Sequence, residues 1–186
     1  MVRIIAIYQW SKKLEVINII KDILTWIISI FAFVLLHEFG HVIMYRLFGG
    51  NNNWSITMGG GPTILKTKRI VINTFFLCGY ININDDGSIK SIRRLYAFLW
   101  YIGGSLINLI LAISILILLY FLRLQNPVED YTIFNLDRVL RIACMTNIYC
   151  MFIPLIPITY PFAPLKGMPS DGLRIIRLIN YKEAND

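Results

Sequence analysis

Long apolar runs alternate with shorter polar stretches along the chain, and three of these runs are long enough to cross a membrane. Residues 23–45 contain one charged residue, Glu38, while residues 95–122 and 142–165 contain none. The hydrocarbon core of a bilayer requires about 20 consecutive residues of helix. The pattern therefore predicts three membrane spans, at about 23–48, 95–122 and 139–165.

Between the first two spans the pattern changes to short β-type runs. Residues 54–83 contain SITM, IVINTFF and YININ, which are interrupted by GGGP and followed by the turn sequence DDG. Strand backbone cannot leave its polar groups unpaired in lipid, so this segment must lie at the interface or be buried in protein. The predicted fold class is a mainly α, polytopic membrane protein, with a three-span core and a small membrane-associated β segment between spans one and two.

The remaining segments complete a single predicted core, residues 23–182, and its N-terminal flank. Residues 1–22 mix Ile and Val with Lys, Arg and Glu, which is typical of an interfacial or juxtamembrane helix. Prolines prevent a regular helix in the second half of the third span, so its backbone is expected to line a cavity or to be buried in protein. They are Pro154, Pro157, Pro161 and Pro164. Residues 172–180 are predicted to form a short amphipathic helix.

Composition and charge agree with an integral membrane protein, since 56% of the residues are hydrophobic and the mean hydropathy is +0.61. The net charge of +7 comes from Lys and Arg scattered between the spans, so we expect no nucleic-acid partner. Eleven of the 18 Lys and Arg residues fall in the loop 46–94 and the tail from 166, which favours a cytoplasmic location for both. The abundance of Ile and Asn suits an AT-rich bacterial genome, and we expect a bacterial cell membrane. The three cysteines have no CxxC spacing and indicate packing residues.

The two histidines of the chain, His37 and His41, both lie in the motif HEFGH within the first span. On a helix, this spacing places both imidazoles on one face with Glu38 beside them, so that they can share one zinc ion. Alternatively, these residues are polar groups that hydrogen-bond between membrane helices. A charged side chain at mid-membrane costs about 3 kcal/mol or more, and we therefore favour a functional site.

A catalytic zinc site usually has three protein ligands and a water, so the motif lacks one ligand. The acidic candidates lie in turns and loops or after the third span: Asp85, Asp86, Glu129, Asp130, Asp137 and Asp171. Asp171 alone follows irregular backbone that could return it to the membrane layer. Its context, Ser-Asp-Gly before an apolar run, is equally typical of a helix N-cap, and both interpretations stay open.

Further motifs follow HEFGH along the chain: GGGP at 59–62, CGYI at 78–81, GGSLIN at 103–108 and PSDG at 169–172. In this order they resemble the site-2 protease family of intramembrane zinc metalloproteases, over about residues 30–178. Ser105 stands where the family usually has a proline. The resemblance implies a minimal form of the family, without a PDZ or other accessory domain.

The resemblance implies a zinc-dependent endopeptidase that acts on a transmembrane or membrane-associated peptide. It implies that His37, His41 and Asp171 bind Zn²⁺ and that Glu38 activates the attacking water. Given the expected topology, the active site would face the cytoplasmic side of the membrane.

The resemblance also implies where a substrate would bind. Asn108 would be a hydrogen-bonding residue that positions the substrate, and residues 55–83 would offer an edge with which an unwound peptide pairs as a strand. The glycines implied in substrate binding are Gly60, Gly61 and Gly79. No role is carried over to Asn147.

A different class of function could use the same histidines. A membrane metal-binding or carrier protein would bind a metal through them without hydrolysis, but it would need neither Glu38 beside the metal nor a strand-forming edge. A degenerate protease that only binds substrates is ranked last, because none of the three expected ligands is missing.

Overall fold

The computed structural model describes residues 2–83, 94–125 and 136–180. Its elements, in chain order, are α1 (Val2–Leu47), β1 (Trp54–Lys66), β2 (Ile70–Ile83), α2 (Arg94–Gln125), α3 (Leu136–Phe152) and α4 (Asp171–Asn180), with a short 3₁₀ turn at Ile153–Leu155. The protein is mainly helical, and a small antiparallel sheet lies between α1 and α2. The predicted fold class is therefore confirmed.

Three helices are long and apolar enough to cross a membrane, namely Lys12–Leu47, Arg94–Leu124 and Leu136–Leu155. Large apolar side chains are exposed along them, such as Ile28, at 65% exposure, and Ile110, at 58%. Exposed aliphatic side chains of this kind suit contact with lipid acyl chains rather than with water.

Two boundaries differ from the sequence expectation. The juxtamembrane segment predicted for residues 1–22 is the beginning of α1, which continues as one helix into the first span. The third span was expected to reach residue 165, but α3 ends at Phe152. The chain beyond the 3₁₀ turn is irregular because its prolines lack the amide hydrogen that a helix requires, as the sequence predicted.

Helices α1 and α2 approach each other at glycines. A methyl carbon added to Gly40 would lie 2.4 Å from the carbonyl oxygen of Gly103, and one added to Gly103 would lie 2.7 Å from the carbonyl oxygen of Gly40. The two backbones are thus in direct contact, which is how helices commonly pack in membranes, where small residues permit close van der Waals contact. This close approach brings α2 against the face of α1 that carries the histidines.

Polar side chains join α2 to α3. The hydroxyl of Ser105 donates a hydrogen bond to the carbonyl oxygen of Met151 at 3.1 Å. The Asn147 amide donates one to the carbonyl oxygen of Asn108 at 2.7 Å, and both asparagines are fully buried. These bonds fix the position of α3 against the helix face that contains Asn108.

The sheet is irregular, and its irregularity is set by glycine. Gly59 has φ +71°, and a methyl carbon there would lie 1.9 Å from the carbonyl oxygen of Phe75, so no other residue fits. On the N-terminal side of this break, residues 56–58 pair with residues 79–81 and also with residues 70–72. Residues 79–83 pair with β1 on one side only, and the described part of the chain gives them no other strand partner.

The irregular segment between α3 and α4 is held by Ser170, which is 1% exposed. Its hydroxyl donates a hydrogen bond to the carbonyl oxygen of Ile156 at 2.6 Å and accepts bonds from the amides of Ile158 and Leu173, at 3.1 and 3.2 Å. A side chain at Gly172 would collide with the carbonyl oxygen of Leu155, 1.9 Å away. The start of α4 is thus fixed against the end of α3.

Ion pairs on the side away from the sheet connect the interior of α1 with the C-terminal end of α2 and the N-terminal end of α3. Asp22 of α1 pairs with Arg138 of α3, and Asp137 pairs with Arg141 and with Arg123 of α2. Charged groups of this kind belong at the aqueous boundary of a membrane. They mark where α1 enters the bilayer at that end.

Replacing Gly40 with alanine tests the contact between α1 and α2. We expect the helices to separate, at a cost of about 1–3 kcal/mol of stability, measured as a lower temperature of thermal unfolding in detergent. Ser114→Ala is the control, since this exposed hydroxyl bonds only the Ile110 carbonyl of its own helix. Equal unfolding temperatures for both variants would contradict the tight crossing.

Candidate metal centre

The two histidines face each other on consecutive turns of α1. Both are buried, with 4% exposure for His37 and 5% for His41, and their Nε2 atoms are 3.1 Å apart. His37 follows Asp22 by 15 residues and precedes Arg46 by 9, which are rises of about 22 Å and about 14 Å along a helix. The pair therefore lies at membrane depth, closer to the end that carries the sheet.

Asp171, the first residue of α4, completes a group of three. Its Oδ2 atom lies 3.3 Å from Nε2 of His37 and 3.2 Å from Nε2 of His41. Two ligand atoms that are each about 2.05 Å from a tetrahedral zinc ion would be about 3.3 Å apart. The spacing of the three donor atoms therefore fits a zinc ion, as does their chemistry, two imidazole nitrogens and a carboxylate oxygen.

The sequence left open whether Asp171 is a ligand or the N-cap of a helix. In the structure Ser170 is the capping residue, because its hydroxyl accepts the hydrogen bond of the Leu173 amide. Asp171 is free to face the histidines. Burial raises the pKa of its carboxyl, but His41 and then His37 lower the pKa by more, so the net pKa lies well below the usual range.

The other nitrogen of each imidazole has a partner that can set its tautomer. Nδ1–H of His41 donates to the carbonyl oxygen of Trp100 at 2.7 Å, which leaves Nε2 without a proton and able to bind a metal. Nδ1 of His37 lies 3.3 Å from the Asn108 amide. Turning that amide by 180° would bring its oxygen, which has no partner among the described residues, into position to accept the His37 Nδ1–H.

The remaining acidic candidates do not join this group. Asp137 lies in the ion pairs at the opposite ends of the helices, while Asp85, Asp86, Glu129 and Asp130 lie outside the described residues. Within the described ranges, His37, His41 and Asp171 are the one group of three or more His, Cys, Asp or Glu side chains spaced to hold a metal.

Glu38 is 7% exposed and lies against β2. A methyl carbon added to Gly79 would be 2.8 Å from Cγ and 3.0 Å from Oε1 of Glu38. The glycine of the CGYI motif therefore lets the strand approach the glutamate, and any other residue at this position would displace one of them.

A cavity of about 590 Å³ opens beside these residues. Its lining includes His37, Glu38, His41 and Asp171, and also seven consecutive residues of β2, 77–83. They include residues 79–83, whose outer edge has no strand partner among the described residues. The rest of the lining is largely apolar and aromatic, with side chains from all four helices.

The residues implied in substrate binding occupy different places. Gly79 lines the cavity, and Asn108 lies behind His37, away from the lining. Gly60 and Gly61 are not part of the lining: Gly60 faces Pro164, and Gly61 faces the ring of Phe75. Asn147, to which no role was assigned from its sequence context, is fully buried against α2 through its bond to Asn108.

The sequence analysis did not identify Tyr160 and Arg174, which both line the cavity. Burial, and then the charges of Asp171 and Glu38, raise the pKa of Tyr160 to about 12, so its hydroxyl stays protonated. Arg174 follows Asp171 by three residues, and residues at this spacing lie on the same face of a helix. This spacing could have indicated from the sequence that Arg174 lies near the metal centre. Nothing in the proline-rich sequence around Tyr160 indicated that its side chain turns inward.

The fold and the site define a polytopic membrane protein with a candidate metal centre of two histidines and one aspartate. Residues 25–164 match the model of peptidase family M50, and the chain therefore belongs to this family, the site-2 protease family. The match ends before Asp171, so the position of that residue rests on the geometry above.

A relative in Bacillus subtilis (strain 168) is named "uncharacterized membrane protein YwmF". It is 28% identical to this chain over 170 residues, which cover 89% of this chain and 93% of the relative. No solved structure matches the chain. The relative agrees with an integral membrane location.

Zinc content tests whether the three residues form one site. Wild type purified in detergent should hold about one zinc per chain, and His37→Ala and Asp171→Ala should each lose most of it, because three protein ligands are needed. Asp137→Ala removes a carboxylate at the other end of the helices and should keep zinc. Full zinc in Asp171→Ala, with the fold intact, would remove Asp171 from the site.

Replacing Asn108 with leucine tests the support of His37. Loss of the amide should weaken zinc binding by about 10- to 100-fold, measured by competition with a chelator. Asn82→Ala is the control, because Asn82 lines the same cavity but donates its hydrogen bond to Thr57. Unchanged zinc affinity in Asn108→Leu would show that this amide does not orient the imidazole.

Proposed function

We propose that the protein is a zinc-dependent intramembrane endopeptidase that hydrolyses peptide bonds in a transmembrane or membrane-associated peptide. The observation that carries the proposal is the position of Glu38. It lies in one cavity with the converging ligand atoms of His37, His41 and Asp171, and with the outer edge of β2. Membership of peptidase family M50 supports the same conclusion.

In this proposal, His37, His41 and Asp171 hold a zinc ion. When bound, the ion would polarise the scissile carbonyl group and lower the pKa of a water toward about 7. Glu38 accepts the proton of the attacking water and delivers it to the leaving amine. The Glu38 side chain is buried, at 7% exposure, and lines the same cavity as the three ligand residues, so it can reach a water held there.

The substrate would pair with the outer edge of β2. A peptide bond in a transmembrane helix is already hydrogen-bonded and shielded, so the helix has to unwind before hydrolysis. Residues 77–83 line the cavity next to Glu38, and pairing with them would satisfy the backbone of the unwound peptide. Gly60 and Gly61 would then shape the sheet rather than contact the peptide.

In this proposal the active site faces the cytoplasmic side of the membrane. The metal centre lies closer to the end of α1 that leads into the sheet, and most Lys and Arg of the chain belong to that side. A cytoplasmic sheet would receive a peptide that enters from the bilayer or from its inner surface.

The carrier alternative explains less of the structure. A metal carrier could use the His-His-Asp group, but it would give no reason for the contact between Glu38 and Gly79. It would also leave the unpaired strand edge at the cavity without a role. The endopeptidase accounts for both features.

Replacing Glu38 with glutamine separates hydrolysis from metal binding. The variant should retain zinc, because Glu38 is not a ligand, and its cleavage of a membrane peptide that wild type cuts should fall at least about 100-fold. Cleavage would be followed by mass spectrometry of peptides in detergent or lipid. Cleavage by Glu38→Gln at the wild-type rate would refute this role for Glu38.

A matched control and a second measurement complete the test. Glu15→Gln changes the exposed glutamate of α1 and should cleave like wild type. The second measurement is metal uptake by lipid vesicles that contain either wild type or Glu38→Gln. If both kinds of vesicle take up metal equally and wild type cleaves no membrane peptide, the carrier function would replace the endopeptidase.

A further inference from the structure

The cavity contains one positive side chain that the proposed reaction does not use. Among its lining residues, Glu38, Asp171 and Arg174 are the charged ones, and the first two already have roles at the metal centre. The other lining residues are apolar, aromatic or neutral. Arg174 is therefore the cation that a ligand in this cavity would meet.

Contacts on one side fix the guanidinium group of Arg174. Its Nε–H donates to the carbonyl oxygen of Pro169 at 3.2 Å, and its central carbon lies 5.7 Å from the centre of the Tyr101 ring. Its backbone amide bonds the carbonyl oxygen of Ser170 at 3.0 Å, within the first turn of α4. The side chain is half-buried and is held by rigid parts of the structure.

The Nη1 and Nη2 atoms of Arg174 have no hydrogen-bond or ion-pair partner among the described residues. Neither carboxylate of the cavity is within ion-pair distance of Arg174: Asp171 pairs with the two histidines, and Glu38 interacts with the Arg174 charge only over a longer distance. A guanidinium group offers two parallel N–H donors, which match a carboxylate in geometry. Arg174 thus presents the donors of an ion pair whose second member is not found among the residues that the structure describes.

Other arginines of the same region are used differently. Arg94 donates to the carbonyl oxygens of Leu178 and Ile179 and so completes the C-terminal end of α4. Arg177, on the same helix as Arg174, is exposed and does not line the cavity. Arg174 differs from both because it is held inside the cavity.

We propose that Arg174 is a specificity-determining residue that binds a carboxylate of the substrate. The inference rests on the proposed function for the nature of the ligand, a peptide. It defines the substrate class further: an apolar membrane peptide with a carboxylate close to the bond that is cut. The carboxylate belongs either to an Asp or Glu side chain or to the C-terminus of the peptide.

Peptide binding tests the proposal without requiring turnover. The full chain with Glu38→Gln is loaded with zinc in lipid nanodiscs, and the binding of labelled Ile/Leu-rich peptides is measured by fluorescence anisotropy. Four peptides share one sequence: an amidated neutral form, a C-terminal acid, an amidated form with one Asp, and an amidated form with one Lys. The two acidic forms distinguish the two sources of the carboxylate.

We expect at least one acidic peptide to bind about 10-fold or more tightly than the neutral peptide, as for a hydrogen-bonded ion pair. Arg174→Gln should abolish this preference without changing the affinity for the neutral peptide. Arg174→Glu should reverse it in favour of the Lys peptide. Arg177→Gln is the matched control and should keep the preference, and zinc content is measured for every variant.

Two results would overturn the proposal. Equal affinity of the Glu38→Gln chain for acidic and neutral peptides would show that the cavity does not recognise a carboxylate. A preference for acidic peptides that persists in Arg174→Gln would show that the carboxylate binds the zinc ion or another group.

Either result leaves the endopeptidase proposal intact if wild type cleaves peptides. Conversely, an Arg174-dependent preference in a protein that cleaves nothing would overturn the hydrolase and keep the carboxylate site.

Discussion

The structure depends on one constraint, the convergence of polar side chains from distant parts of the chain inside an apolar layer. Two imidazoles and a carboxylate with donor atoms 3.1–3.3 Å apart cannot remain together at membrane depth unless each is held by hydrogen bonds from its surroundings. The Trp100 carbonyl orients His41, and the Asn108 amide lies at His37. The bonds of Ser170 bring Asp171 back to the membrane layer after the third span.

Glycines supply the space that this convergence needs. At Gly104, an added methyl carbon would lie 2.5 Å from the His37 ring, at Gly79 it would meet Glu38, and at Gly172 it would meet the end of the 3₁₀ turn. Each glycine lets a backbone pass directly over a residue of the site or over the element that supports it. The family motifs GGSLIN, CGYI and DG therefore have a steric explanation in this chain, apart from any contact with substrate.

The features that could be predicted from the sequence are those that depend on local residue patterns. Apolar run length located the three spans, strand-type runs located the sheet, and the spacing of HEFGH placed two histidines on one face. The sequence left Asp171 undecided, because the same Ser-Asp-Gly letters suit a cap or a ligand and only the hydrogen bonds of Ser170 separate them. The positions of Arg174 and Tyr160 in the cavity lining were not predicted, because tertiary packing decides which side chains line a cavity. No residue pattern in a single sequence carries that information.

The large separation of the ligands along the chain has a consequence for biosynthesis. His41 and Asp171 are 130 residues apart, and two further spans lie between them. A ribosome produces the HEFGH segment early, but the third donor is made only after the segment Leu136–Leu155 has been synthesised. On the proposed function, a nascent chain that has not yet reached Asp171 lacks a complete metal centre and would not hydrolyse peptides. On that proposal, hydrolysis would require α1, α2 and α3 to have brought the three donor atoms together.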